Sequence, residues 1–142
     1  MIPIQGANKC IIAHDVLSEK VNVKGENVII IGGGLVGFET AEFLASQGKK
    51  ITILEMKEKA LQDLGPLRQI TAQFAMNKMP ITIETNATVE KIEDSVVIVS
   101  GKEYFYDDVI IAVVLNQMTQ VIMKNLTYQL ILLMIVKKQM LL

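Results

Sequence analysis

The chain has 142 residues, 51% of them apolar, with 14 basic and 15 acidic side chains. That length suits one modest domain rather than two, and the near-balanced charge carries no electrostatic footprint for nucleic acid. The lone cysteine, Cys10, excludes an internal disulfide and any cysteine-built metal or iron–sulfur site.

The opening "MIPIQGANKC" has neither a basic start nor a long apolar core. The absence of a signal peptide points to a cytoplasmic protein. Residues 1–24 read as an irregular lead-in, with Pro3, Gly6 and Asn8 as turn formers. Val28 to Ile31 is a β-branched apolar run, the pattern of a strand buried on both faces of a parallel sheet. Leu35 to Gln47 reads as a helix, with Gly37, Ala41, Leu44 and Gly48 on one stripe and Gly48 as its stop. Lys50 to Leu54 alternates into a second strand and closes a βαβ unit. Pro66 can open a second helix, in which Leu67, Ile70 and Phe74 share a face. Short β-like pieces follow at Ile81 to Glu84, Val89 to Glu93, Val96 to Ser100 and Tyr104 to Tyr106, with a turn at Gly101. Asp107 and Asp108 then lead into "VIIA", another buried-strand run. The predicted fold is α/β: a Rossmann-like parallel sheet with helices and a β-meander insertion, without internal repeats.

The junction of the first strand and helix carries the chemistry. Gly32, Gly34 and Gly37 spell G-x-G-x-x-G, with Gly33 as an extra glycine. In a dinucleotide site the first glycine permits the sharp turn, the second lets a pyrophosphate approach bare backbone, and the third lets the helix lie against the strand. The first amides of the helix have no partner within it, and with the helix dipole they favour phosphate oxygens. The glycines follow a predicted strand, open a predicted helix and sit within a βαβ unit, which is the context the motif requires. The second strand ends in Glu55, about 20 residues on, where an acid binds the adenosine ribose. A carboxylate there accepts from ribose hydroxyls and repels the extra phosphate of NADP. No arginine follows closely, although Lys57 and Lys59 soften the preference. The expected cofactor is NAD(H) rather than NADP.

These residues carry a resemblance. "GGGLVGFETAEFLASQGKKITILEM" resembles the NADH-binding domain of the two-dinucleotide flavoprotein reductases, within them the enoate reductase and 2,4-dienoyl-CoA reductase group with its old-yellow-enzyme-like barrel. The lead-in resembles the segment joining FAD and NADH domains, and "IETNATVEKIEDSVVIV" and "YDDVIIA" resemble the following meander and return strand. The resemblance implies that residues 1–24 connect to an FAD domain and that residues 25–112 bind NAD(H). The implied cofactor-binding residues are Gly32, Gly33, Gly34, Leu35, Val36 and Gly37, with Glu55 on the ribose and Glu39 near the nicotinamide. An ordinary exposed glutamate in a helix's first turn is the other reading of Glu39. FAD belongs to the implied parent enzyme, whose FAD and FMN domains are the expected partners. This sequence has no second glycine-rich motif to hold it. His14 beside Asp15 lacks an evident third partner, Cys10 reads as a small packed residue, and no catalytic or metal-binding residue is assigned.

The resemblance covers residues 1–112 and then fails. Residues 113–142, "VVLNQMTQVIMKNLTYQLILLMIVKKQMLL", contain no acid, glycine or proline. The glycine expected after Ala112 is replaced by Val113 and Val114. One explanation is a frameshift. AT-rich codons for this stretch, read one base out of register with one G restored at Val114, give A-V-G-F-K-P-N-D, which resembles the family continuation. The other reading is a real amphipathic or membrane-touching segment. Its most apolar part, Leu126 to Val136, is interrupted by Tyr128 and Gln129 and falls short of the roughly 18 residues a span needs, so no membrane span is expected. Two functions follow: an NADH-binding unit of a flavin-dependent oxidoreductase, or an inactive remnant or stand-alone NAD-binding module acting through a partner.

Overall fold

In the computed structural model, residues 5–62, 64–112 and 137 are described; the apolar tail from Val113, with the substituted glycine and the frameshift reading, lies outside them apart from Lys137. A 3-10 turn at Ala7–Lys9 leads to β1 (Ile11–Ile12) and α1 (Ala13–Leu17). Then come β2 (Asn27–Ile31), α2 (Leu35–Ala45), β3 (Lys50–Leu54), α3 (Pro66–Lys78) and β4 (Ile81–Glu84). The chain continues through β5 (Val89–Glu93), β6 (Val96–Val99), β7 (Lys102–Phe105) and β8 (Asp108–Ile111). A five-stranded parallel sheet has the order β1-β8-β2-β3-β4, and β5-β6-β7 form a separate antiparallel sheet. The fold is therefore the α/β arrangement that the pattern predicts.

Side chains of a strand point alternately to its two faces, and β2 serves two cores in this way. Val28 and Ile30 join Ile51, Ile53 and Ile110 against the helices, where Phe38, Ala41 and Leu44 of α2 are buried. Ile29 and Ile31 join Leu54 and Val109 against Val97, Val99 and Ile92 of the meander. A run that is apolar at every position is what a strand covered on both sides requires. The hairpin between β6 and β7 turns through Ser100 and Gly101, both with positive φ (50° and 80°), as a two-residue loop between twisted strands demands.

Two features of packing differ from the sequence reading. The lead-in is not irregular throughout: Ile11 and Ile12 pair in parallel with Ile110 and Ile111, and Ala13 and Val16 are buried. A two-residue strand is too short to show periodicity. Helix α2 runs to Ala45, and Gly48, at φ 87°, is its stop as expected, with the Gly48 amide donating to Ala45 O at 2.9 Å and the Lys49 amide to Leu44 O at 3.3 Å. The predicted face of α3 is exposed: Leu67, Ile70 and Phe74 keep 76%, 56% and 60% of their surface. The buried stripe is instead Ala72, with Ala75, Met76 and Met79 packed partly against the core. These residues include two alanines, which let the helix sit close. Arg68 ties α3 to α2 through an ion pair with Glu42 and lies over the Phe38 ring, 5.5 Å from its centroid.

At the amino ends of the strands, Asp107 and Asp108 have structural work. Asp108 Oδ2 accepts from the Gly25 amide at 2.8 Å, and Asp107 Oδ2 accepts from the Asn27 amide at 2.9 Å. They fasten the approach to β2, leaving its carboxyl end to present the glycine turn.

Candidate functional site

From β2 the chain builds outward through β3 to β4, whereas β8 lies on the opposite side of β2. The direction of winding therefore reverses beside β2. In open α/β sheets, ligands bind outside the carboxyl ends of the strands at such a point. The residues found there are Gly32, Gly33 and Gly34 after β2, Glu55 after β3 and Ala112 after β8.

Hydrogen bonds define the turn. The Gly32 amide donates to Leu54 O at 2.9 Å, extending the ladder by one residue. Gly32 then takes φ 114°, a backbone state that side chains rarely permit. Its carbonyl points at α2: a Cβ added to Gly37 would lie 2.0 Å from Gly32 O and 3.5 Å from Ala112 Cβ. Only a residue without a side chain lets α2 start this close to β2. The Phe38 amide donates to Gly34 O at 3.0 Å, the first bond of α2. Gly34 is the N-cap, in extended conformation, with no side-chain cap. The first amides of a helix point out of it, and no acidic residue occupies the first turn of α2.

Gly33 has its own reason to be glycine, which the motif alone does not show. It is buried, and a Cβ there would lie 3.1 Å from Glu55 Cβ and 3.3 Å from Ala60 Cβ. Its amide donates to Glu55 Oε1 at 3.2 Å, and the Lys57 amide donates to Glu55 Oε2 at 3.1 Å. Glu55 is half-buried and is thus fixed against the turn by main chain. A carboxylate has about four acceptor sites, so two remain available for hydroxyl groups.

The other residues of the predicted set lie on α2. Leu35 opens it, Val36 is 47% exposed, and Glu39 is exposed one turn in. His14 is exposed on α1, outside the glycine turn. Cys10 packs against the meander core, and burial pushes its thiol up to about 12, the behaviour of a packed rather than a reactive cysteine. Among the described residues no cluster of His, Cys, Asp and Glu could hold a metal ion, and no helix is long and apolar enough to cross a membrane.

The residues missed by sequence reasoning are Leu61 and Gln69. The Leu61 amide donates to Gly33 O at 2.8 Å, with Leu61 itself at φ 63°. No sequence pattern marks a leucine for that conformation.

Comparison with known proteins places this geometry in a family. The model of the pyridine nucleotide-disulphide oxidoreductases matches residues 2–129. The cinnamate reductase of Clostridium sporogenes is 59% identical over 66 residues, which cover 46% of this chain and 10% of that protein. The NADH oxidase of Thermoanaerobacter brockii is 41% identical over 92 residues, covering 64% of this chain and 14% of the relative. The chain therefore spans a small part of the length of these relatives. Among solved structures, a 2-naphthoyl-CoA reductase superposes with a TM-score of 0.72 at 29% identity, over 79% of this chain and 18% of that one. With its parallel sheet, its glycine turn at the winding reversal and a family match spanning most of its length, the chain belongs to the pyridine nucleotide-disulphide oxidoreductase family.

Proposed function

We propose that this chain forms the NADH-holding unit of a flavin-dependent oxidoreductase. The observation that carries the reading is the juxtaposition of a side-chain-free turn with a fixed carboxylate. Gly32, Gly33 and Gly34 place no side chain in the turn before α2, and Glu55 is anchored beside it by the Gly33 amide. In this reading the pyrophosphate lies against the glycine turn at the start of α2, where the helix dipole favours negative charge. Glu55 accepts from the adenosine ribose, and its charge disfavours a phosphate on that sugar. Glu39 lies toward the nicotinamide end. When bound, NADH supplies a hydride; the residues of this chain bind and orient the cofactor. By the resemblance, residues 1–24 are read as the connector to an FAD-bearing domain and residues 25–112 as the NADH domain, with β1 and α1 of the connector packed onto that domain's sheet. The names of the relatives, a cinnamate reductase and an NADH oxidase, suit a parent enzyme that passes reducing equivalents from NADH.

Glu55→Ala tests the cofactor preference. Losing a charged acceptor costs about 1.5–3 kcal/mol, so NADH binding weakens by roughly 10- to 100-fold, while NADPH binding changes less. Titrating both cofactors into both proteins measures the two ratios. An NADH/NADPH preference unaltered by the substitution removes Glu55 from the role.

A further inference from the structure

Among the described residues, five that are not glycine have positive φ: Glu19, Leu61, Asn86, Ser95 and Ser100. Leu61 stands apart from the others, being a bulky aliphatic residue that is 7% exposed and packed in the helix-side core. A left-handed leucine is strained and persists only where its surroundings determine it. The surroundings here are hydrogen bonds on both sides of the residue. Its amide donates to Gly33 O at 2.8 Å. Its carbonyl accepts from Gln69 Nε2 at 3.3 Å and from the Leu64 amide at 3.3 Å. Gln69 Nε2 also donates to Leu64 O at 3.1 Å.

We infer that Leu61 and Gln69 are positioning residues for the glycine turn, setting the direction of an amide they do not touch. A trans peptide is planar, with its C=O and N–H on opposite sides. Fixing Gly33 O on the Leu61 amide therefore directs the Gly34 N–H away from the segment between β3 and α3. The preceding peptide is pinned by the same logic. Gly33 N–H is held by Glu55, so Gly32 C=O faces Gly37. Two consecutive peptides of an otherwise pliant triple-glycine turn are thus held by groups from the β3–α3 segment. A turn ordered before the ligand arrives does not spend binding energy on ordering. Gln69, at the first turns of α3, is the side chain through which this order can be altered. The inference rests on the reading that a dinucleotide diphosphate docks on this turn.

Gln69→Met keeps the length of the side chain and removes its donor. Three quantities are measured on the full chain: hydrogen exchange of the Leu61 amide, the dissociation constant for NADH, and the thermal midpoint. Losing hydrogen bonds of this kind loosens Leu61 by about fivefold in exchange rate, and NADH binding weakens by a similar factor while the midpoint falls by only a few degrees. Gln69→Lys, which restores a donor, returns the Leu61 protection. NADH affinity unchanged in Gln69→Met, or Leu61 protection unchanged, overturns the inference while leaving the nucleotide reading intact. No NADH binding by the unsubstituted chain defeats that reading first, and this inference with it.

Discussion

Gly37 shows how much a missing side chain can decide. A methyl group at that position would stand 2.0 Å from the Gly32 carbonyl oxygen, a main-chain atom that cannot rotate away. Gly37→Ala therefore moves α2 off β2. Overpacking of this kind costs about 1–3 kcal/mol, readable as a lower urea midpoint with an unaltered slope. Because α2 carries the first-turn amides, NADH affinity falls as well. A variant with wild-type stability would show that the helix does not depend on this contact. The glycine spacing was legible because its turn meets backbone requirements that few other residues can satisfy, and Glu55 stood out as the acid directly after the second strand. The role of Gly33 was not, since its neighbours Glu55 and Ala60 come from a distant part of the chain. Leu61 was less legible still: its left-handed backbone is imposed by tertiary hydrogen bonds that no local propensity announces.

Among the elements, strands were easier to read than helix faces. The bounds of β3, β4 and β5 coincide with the apolar and alternating runs seen in the sequence, because a strand's period of two is visible over four or five residues. In α3 the sequence offers two stripes at helical spacing. Leu67, Ile70 and Phe74 are the more apolar, yet the stripe of Ala72, Ala75, Met76 and Met79 faces the sheet. Close approach to the sheet selects small side chains over large ones. Phe74→Ser should thus change stability by less than about 0.5 kcal/mol, whereas Ala72→Leu should cost about 1–3 kcal/mol. Thermal melts of the two variants compare them directly, and a larger loss in Phe74→Ser would reverse the assignment of faces. The lead-in gained a strand and a short helix that no periodicity reveals, since β1 is defined by pairing Ile11 with Ile110 of β8, far along the chain.

At the scale of the molecule, the arrangement reads as a division of labour along the strands. The amino ends are fastened by Asp107 and Asp108. The helices cover one face of the parallel sheet and the meander covers the other. The glycine turn lies at the carboxyl end beside β2, where the winding reverses. The chain belongs to the pyridine nucleotide-disulphide oxidoreductase family and spans 10% and 14% of the length of two relatives. The most direct test is a residue-by-residue map of backbone amide shifts on adding NADH to the purified chain. The account predicts that the largest shifts fall on Gly33, Gly34, Leu35 and Val36, with Glu55 and Leu61 next. Shifts centred instead on the cavity between α1 and α2, lined by Val16, Asn22, Val23 and Phe43, or on no region at all, would contradict it.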